Sequence, residues 1–430
     1  MQKPGRWLSG SFLLLWQGQL VSVMGSQVFV VTLALWLIRH TGSATLMGLL
    51  LMAGSVPGVL LGPIGGALAD RYSRRTVLVA GDLLRGLSLI SVAVVMFWLP
   101  QSPRAGVAAL FVAAVIGGTV GAVWQPAAAA VIPEMVPRER LSTANSLVQA
   151  SIQICGMVAK GLGGLLFRAV GAPLLALADG FSYLYAAATE AIAIMPSPPR
   201  KATAAGGRFS VLKRQILEGL EYVRARAGLR MMLYTMTFQQ FFMVPMVVLF
   251  PFYVTEHLHA GPEWYGYLLA TSSVGTLAGF AFAGTVRLKG AAMSRLIVAL
   301  LVFVSLSLAG LGLVSSRWAA AGIVFGIGAT NGFLGVKLIT ILQLNTEPSF
   351  RGRVIGLIQT ITGGLAPVAM GLTGIVADLT GRNLPLIYLV CGGITSLLWA
   401  STAMRRECRA FLAGEEPALP IAAAVVPRTA

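Results

Sequence analysis

Charge is scarce in this sequence of 430 residues, in which Asp, Glu, Lys and Arg together make up 11% of the chain. Cysteine and histidine are also rare, with three residues of each. So little polar surface excludes an ordinary soluble protein. So few Cys and His residues predict no disulfide framework, no metal site and no cofactor. No glycine-rich phosphate loop precedes a Lys and a hydroxyl residue, so we expect neither an enzyme nor an ATP-driven pump.

The sequence consists mostly of long apolar runs. Hydrophobic residues make up 56% of it, and the mean hydropathy is +0.80. Runs of this length can cross a hydrocarbon layer of about 30 Å as helices. The pattern predicts an all-α membrane protein with twelve spans in two sets of six. The spans are expected near 12–38, 45–69, 76–98, 105–131, 143–167, 173–195, 229–254, 264–286, 293–315, 319–343, 354–378 and 384–404.

The formal net charge of +17 comes from short loops between the spans and not from a continuous basic surface. If the N-terminus is cytoplasmic, the outer loops hold only Arg39, Arg104, Arg168, Arg317 and Arg382. This bias predicts that both termini are cytoplasmic in a multi-pass protein of the bacterial inner membrane. Loop charges of this kind contact lipid headgroups, so we expect membrane lipids as partners and no nucleic acid.

Four regions follow from the span pattern. We predict a first six-helix bundle over 1–195, a cytoplasmic linker over 196–228, a second bundle over 229–404 and a cytoplasmic tail over 405–430. The linker contains an amphipathic run from Phe209 to Arg226. Two interpretations of that run remain open: a helix lying on an anionic leaflet, or a solvated connector.

A loop signature lies between the second and third spans. It is formed by Gly66, Asp70, Arg71, Arg74 and Arg75. The order of a glycine, an Asp-Arg pair and further basic residues resembles the loop signature of the major facilitator superfamily. That resemblance implies a gating latch, since an acid at a helix end can pair with a cation or with a neighbouring helix N-terminus. The alternative is a plain stop-transfer cluster.

A wider resemblance covers nearly the whole chain. It rests on the segments 16–22, 41–44, 126–137, 141–145 and 351–354. These segments are similar to the bacterial macrolide-efflux and enterobactin-exporter branch of the superfamily. The resemblance implies secondary active export of a small amphiphilic compound by alternating access, commonly coupled to protons, in the manner of multidrug-resistance antiporters. The substrate class does not follow from it.

Two departures from that branch weaken the expectation of proton coupling. Gly117 stands where members often have an arginine in span four, and Lys160 stands where they have a proline in span five. An uncoupled facilitator or a lipid or lysophospholipid flippase is therefore the alternative function.

Charged residues inside spans are costly, at about 3 kcal/mol each on insertion scales, and usually face a cavity or a partner. Lys337 and Lys160 are such residues, and they predict an anionic or zwitterionic substrate. Lys160 has an alternative role in a buried ion pair, and Lys337 in snorkelling. We expect further substrate contacts from polar and aromatic side chains in the spans. These are Gln19, Gln125, Trp124, Asn331 and Gln239.

Carboxyl groups inside spans are the candidates for carrying protons. Glu190 and Asp82 are the predicted proton-coupling residues, although Asp82 lies three residues before Arg85 and the two can simply neutralise each other. Glu190 lies close enough to the cytoplasmic end to be exposed instead. Asp179 and Asp378 lie near outer ends and are expected to anchor helix termini. We expect a monomer.

Overall fold

A computed structural model describes residues 10–195, 217–218, 220–347 and 350–414. Each of the twelve predicted spans is a helix in it. The helices are α1 (Gly10–Thr41), α2 (Ala44–Arg71), α3 (Arg74–Trp98), α4 (Pro103–Met135), α5 (Leu141–Val170), α6 (Ala172–Ile192), α7 (Ala227–Phe252), α8 (Pro262–Thr285), α9 (Gly290–Leu313), α10 (Arg317–Asn345), α11 (Arg351–Leu379) and α12 (Leu384–Met404). A short α13 (Arg406–Ala413) follows. No strand occurs in the described ranges, and the predicted all-α membrane fold is confirmed.

Eleven of the described helices are long and apolar enough to cross a membrane. The remaining predicted span is α6, whose 21 residues include Asp179 and Glu190. Its length of about 30 Å at ~1.5 Å per residue is nevertheless that of a spanning helix. The two acids in its sequence therefore set α6 apart from the other spans.

The helices begin and end where local chemistry satisfies their free backbone groups. Ser73 caps α3 by accepting a hydrogen bond from the Thr76 amide at 3.1 Å, and Asn383 caps α12 through the Leu386 amide at 3.1 Å. Gly171, with φ of 80°, ends α5 and begins α6. A residue with a Cβ would be strained in that left-handed conformation, so glycine permits the tight connection.

Contacts divide the chain into two compact units. Unit 1 contains residues 1–200, 248–270 and 370–382, and unit 2 contains 201–247, 271–369 and 383–430. The predicted second bundle therefore contributes two segments to unit 1, both from the end at which α1 joins α2. We call this end of unit 1 the Gly42 end, and the opposite end, at which α2 joins α3, the Ser73 end.

Unit 1 is built mainly from α1 to α6. Helix α3 packs along α6, α2 along α4, and α1 against both α5 and α6. An apolar core lies toward the Ser73 end and includes Phe12, Leu78 and Val131, each at most 1% exposed. This packing places α1, α3, α4 and α6 around a common interior, which is where the charged side chains of the first bundle collect.

Unit 2 has an apolar core in which Trp399 is fully buried among residues of α9, α10 and α12. Backbones of α8 and α10 approach closely at Gly328 and Gly332, where a Cβ would collide with carbonyl oxygens of α8. Small residues permit such contacts in lipid, where apolar side chains gain nothing by leaving lipid tails.

The end of the predicted linker run is helical in the described residues 217–218 and 220–225, while Phe209 to Ile216 lie outside them. Val223 is 2% exposed and packs into the core of unit 2. Tyr222 stacks on Phe350 with ring centroids 4.8 Å apart, and Glu218 pairs with Arg353 at 2.7 Å. The apolar face of this part of the linker therefore packs against protein. The two interpretations from sequence, a helix on the leaflet and a solvated connector, did not include this packing.

Candidate functional site

Helix α3 brings a buried acid and a buried base into the interior of unit 1. Asp82 is 0% exposed, and Arg85, one turn later, lies with its Nη1 3.7 Å from Asp82 Oδ1. Neither carboxyl oxygen of Asp82 makes a hydrogen bond to a described residue. Asp82 and Arg85 are three residues apart on one helix face, so their opposite charges attract each other. A separation of 3.7 Å is nevertheless too long for a strong hydrogen bond.

The Arg85 guanidinium lies between two aromatic rings. Its Cζ is 5.2 Å from the Trp124 ring centroid on α4 and 5.8 Å from the Tyr183 ring centroid on α6. Gly121 on α4 leaves space for the guanidinium, since a Cβ at this position would lie 3.2 Å from Nη2 of Arg85. Aromatic faces stabilise a desolvated cation, so the site is shaped to hold a guanidinium.

Helix α6 contributes Asp179, which is 2% exposed. Its Oδ1 accepts hydrogen bonds from the hydroxyls of Ser182 at 3.2 Å and of Ser26 at 3.4 Å. Ser26 also lies 2.9 Å from the Tyr183 hydroxyl. Gly25 on α1 permits this approach, because a Cβ there would lie 2.6 Å from Asp179 Oδ1. Both hydroxyls also have a shorter contact with a backbone carbonyl, Ser182 with Asp179 at 2.7 Å and Ser26 with Ser22 at 2.8 Å, so they solvate the Asp179 carboxyl only in part.

Glu190 lies on the same helix, eleven residues further along, and is also 0% exposed. No described group makes a hydrogen bond of normal geometry to its oxygens, although the Gln19 side chain is a nearby donor. Asp82 and Arg85 are both within electrostatic range of Glu190. Glu190 is therefore a carboxyl in an apolar interior with few groups to solvate a negative charge.

We call Asp82, Arg85, Asp179, Tyr183 and Glu190 the Arg85 cluster. Arg85 is within electrostatic range of all three carboxyls. Three ionised carboxyls and one guanidinium would leave two uncompensated negative charges in a buried space, which is costly. Proton binding relieves that excess, so the chemistry open to this cluster is the uptake and release of protons.

The predicted substrate-binding residues of unit 1 lie in different surroundings. Trp124 borders the Arg85 cluster, and its indole nitrogen is buried without a hydrogen-bond partner among described residues. Gln19 is half-buried and lies near Glu190, while Gln125 is exposed. Lys160 on α5 is half-buried and has no hydrogen bond or ion pair to a described residue.

The predicted substrate-binding residues of unit 2 are mostly engaged. The Lys337 ammonium donates to the Val286 carbonyl at 2.9 Å, just beyond the end of α8, and lies 5.9 Å from the Phe333 ring centroid. Gln239 accepts a hydrogen bond from the Trp399 indole. Asn331 is exposed on α10. Lys337 thus stabilises the carbonyl end of a neighbouring helix within its own unit.

The predicted gating residues lie at the Ser73 end. Arg74 pairs with Glu134 and also donates to the Ala130 carbonyl at 2.7 Å, which ties the start of α3 to the end of α4. Arg75 is exposed, and no described atom lies within 4 Å of where a Cβ of Gly66 would be. The side chains of Asp70 and Arg71 lie outside the described part of the chain.

Sequence reasoning assigned Asp179 to a helix terminus and left Tyr183 out. The signal that was available is the four-residue spacing of Asp179 and Tyr183 on α6, one turn apart and on one face with Ser182 between them. That face of α6 packs toward α1 and α3. The sequence of α6 alone does not show which neighbouring helices the face contacts.

Comparison with known proteins identifies the architecture. The family model for the Major Facilitator Superfamily matches residues 15–371. This chain belongs to the Major Facilitator Superfamily. As a member, it is a multi-pass membrane transporter and not an enzyme, as the sequence predicted.

Curated relatives within the superfamily cover almost the same length. The chain is 25% identical to macrolide efflux protein A of Streptococcus pyogenes, over 89% of this chain and 93% of that protein. It is 27% identical to the multidrug efflux pump Tap of Mycolicibacterium fortuitum, over 88% and 92% respectively.

Solved structures share the fold of this superfamily member. A bacterial homologue of the iron transporter ferroportin, in an inward-facing state, has a TM-score of 0.71 at 16% identity and covers 92% of this chain and 99% of its own. A D-xylose-proton symporter has a TM-score of 0.67 at 16% identity and covers 90% and 96%. At this identity the likeness concerns the fold alone.

Proposed function

We propose that this transporter exports a small amphiphilic compound, anionic or zwitterionic, from the bacterial cytoplasm by alternating access, and that proton entry drives the export. The Arg85 cluster is the observation that carries this proposal. Three buried carboxyls share the electrostatic influence of one guanidinium, and two of them, Asp82 and Glu190, make no hydrogen bond of normal geometry to a described residue.

The physical link between the cluster and transport is the cost of charge in a low-dielectric interior. A carboxyl that loses its proton there needs a cation or water, and among the described residues Arg85 is the one cation that influences all three acids. Opening the bundle to one side of the membrane supplies water, and closing it removes water again. Proton occupancy therefore changes with the state of the transporter, which is what coupling requires.

Export is the direction supported by the relatives, whose names are those of efflux proteins. The orientation proposed from the loop charges places both termini and the Ser73 end in the cytoplasm, in the inner membrane. Protons then enter from the Gly42 end while the compound leaves.

The charge of the substrate is supported by Lys160. This half-buried ammonium has no acidic partner among described residues, so an anionic group of a substrate can neutralise it. Lys337 supports the same substrate less strongly, because a carbonyl oxygen and an aromatic face already stabilise it.

The experiment uses inside-out membrane vesicles that contain the transporter and a pH gradient, acid inside. Three probes of different charge are tested: taurocholate, lysophosphatidylcholine and erythromycin. We expect the vesicles to accumulate the anionic or the zwitterionic probe in preference to the cationic macrolide, and a protonophore to abolish that accumulation. Vesicles without the transporter are the control.

Two outcomes contradict parts of the proposal. Movement of lysophosphatidylcholine that is unchanged by the protonophore favours the alternative, an uncoupled facilitator or lipid flippase. Accumulation of erythromycin alone contradicts the predicted substrate charge while leaving the coupling intact. The proposal takes the transporter as a monomer, and light scattering of the purified protein in detergent tests this.

A further inference from the structure

Helix α2 begins at the Gly42 end, and its first backbone N–H groups are satisfied by a residue far away in sequence. Asp378, at the end of α11, accepts from the Ala44 amide at 3.0 Å, from the Thr45 amide at 2.8 Å and from the Ser43 hydroxyl at 2.9 Å. A helix start normally takes its cap from its own preceding residue. Here the local cap Ser43 serves only the Leu46 amide, at 3.2 Å.

The charge of Asp378 suits that position. The N-terminus of a helix carries a partial positive charge, and a carboxylate held by three donors there is stabilised by charge-assisted hydrogen bonds. The backbones also approach closely, since a Cβ at Gly374 would lie 2.9 Å from the Thr45 Cα. The end of α11 and the start of α2 are therefore joined by both packing and charge.

Arg382 forms a second connection beside the first. Its Nη1 donates to the Gly42 carbonyl at 2.6 Å and to Glu256 Oε1 at 2.7 Å. Glu256 lies in a π-helical turn, Tyr253–His257, that follows α7. Arg382 thus links the α1–α2 turn to the end of α7, and these groups come from both predicted sets of spans.

Backbone strain accompanies this connection. Arg382 has φ of 58°, a left-handed conformation that is unfavourable for a residue with a Cβ. Such strain persists where the surrounding contacts hold the residue in place, and it is common at switching segments. The Arg382 amide donates to the Ala377 carbonyl at 2.7 Å, and the side-chain contacts with Gly42 and Glu256 add to this backbone contact.

A separate contact between the two sets of spans lies at the same end of unit 1. A Cβ at Gly266 on α8 would lie 2.5 Å from the Lys160 carbonyl on α5, and Arg168 lies 3.8 Å from Glu263. Asp378 and Arg382 take no part in this α5–α8 contact. Opening of the α5–α8 contact therefore shows whether the whole Gly42 end opens or only the start of α2.

From this geometry we infer that Asp378 and Arg382 are a two-part latch that closes the Gly42 end and must release for that end to open. The inference rests on the proposed alternating access but not on proton coupling or on any substrate. Both residues act on helix positions and touch no transported compound, so they are gating residues.

Hydrogen–deuterium exchange on the purified full chain tests the latch without a substrate. In Asp378→Asn we expect exchange to rise about tenfold or more at 44–46, where donors lose the charged acceptor. If the latch closes this end, exchange also rises in the α5–α8 contact, at 160–164 and 262–266. Arg382→Gln should produce the same two-site pattern, and Arg104→Gln, an exposed arginine at the same end, should produce neither change.

A rise confined to 44–46 would overturn the latch and leave Asp378 as a helix cap. A second variant covers a folding failure: Arg382→Lys keeps a cation that can donate to the Gly42 carbonyl and to Glu256. If the pair is a latch, Arg382→Lys keeps exchange at 160–164 slow, whereas Arg382→Gln does not. Failure of proton coupling leaves these exchange patterns unchanged, so the two proposals fail separately.

Discussion

The interiors of the two units differ in the kind of polar group they bury. Unit 1 buries three carboxyls, Asp82, Asp179 and Glu190. No Asp or Glu is buried among the described residues of unit 2, whose buried polar groups in the helices are hydroxyls such as Thr235, Ser305 and Thr395. These hydroxyls donate to carbonyls of their own helices, as Thr235 does to Met231 at 2.8 Å.

Two bundles with the same number of spanning helices therefore do not have the same interior chemistry. Hydroxyl groups bonded to their own helix are satisfied at any pH and need no outside partner. Carboxyls that share one guanidinium change their charge balance when water or protons arrive. We therefore expect proton chemistry to depend on unit 1 and to be insensitive to buried polar groups of unit 2.

The largest expected effect is on driven transport. Glu190→Gln and Asp179→Asn each remove a proton-carrying group, and general acid–base groups contribute about 100- to 10,000-fold to rates that depend on them. We expect gradient-driven accumulation in inside-out vesicles to fall by that order. Thr395→Val in unit 2 and Glu221→Gln on the surface are the matched controls. An equal loss of accumulation in Thr395→Val would contradict the expectation that proton chemistry depends on unit 1 alone.

Arg85→Met should have the next largest effect, on stability. Arg85 is the cation that the described residues place beside Asp82, and deleting one partner of a buried pair costs about 3–5 kcal/mol. The free energy of unfolding is followed by denaturant titration in detergent. Adding Asp82→Asn to Arg85→Met should recover part of the loss; no recovery would mean that packing against Trp124 and Tyr183 explains it.

The two lysines inside the spans should differ in their effect on substrate binding. Lys160→Gln removes an unpaired charge and should weaken binding of an anionic probe such as taurocholate about tenfold, which is ~1.4 kcal/mol. Lys337→Gln removes a charge already held by the Val286 carbonyl and should change the affinity by less than about threefold. Equilibrium binding to purified protein measures both, and the reverse order would favour Lys337 as the substrate contact.

The smallest expected effect concerns the uncharged interior of unit 2. Trp399→Phe removes the donor to Gln239, and a neutral hydrogen bond contributes about 1 kcal/mol net. Thermal unfolding of Trp399→Phe, Gln239→Leu and the double variant measures the coupling. Additive losses would show that the two side chains do not share a bond.

The sequence predicted the helices well because hydropathy is a local property. All twelve spans became helices within a few residues of the expected bounds. Asp82, Arg85 and Glu190 were singled out because charge inside an apolar run is visible in one segment. Their role as site residues stays a prediction.

Partners across helices could not be predicted in the same way. Asp179 was interpreted as an outer anchor because its position in its own span was all that the sequence shows. Asp378 was also expected to anchor a terminus, and the helix whose start it caps lies more than 300 residues earlier, since its hydrogen bond to Thr45 spans 333 positions. Rotation of each helix about its axis decides such contacts, and hydropathy gives only a weak indication of it.

The short helix α13 has a consequence for biogenesis. Cys408, Phe411 and Leu412 are at most 3% exposed in the core of unit 2, and Asn345 donates to the Phe411 carbonyl at 2.8 Å. That core is incomplete until α13 has been synthesised. The Arg85 cluster, by contrast, has all its residues once Glu190 has been synthesised. The residues of the charged interior are therefore available more than 200 positions earlier in synthesis than those that complete the second core.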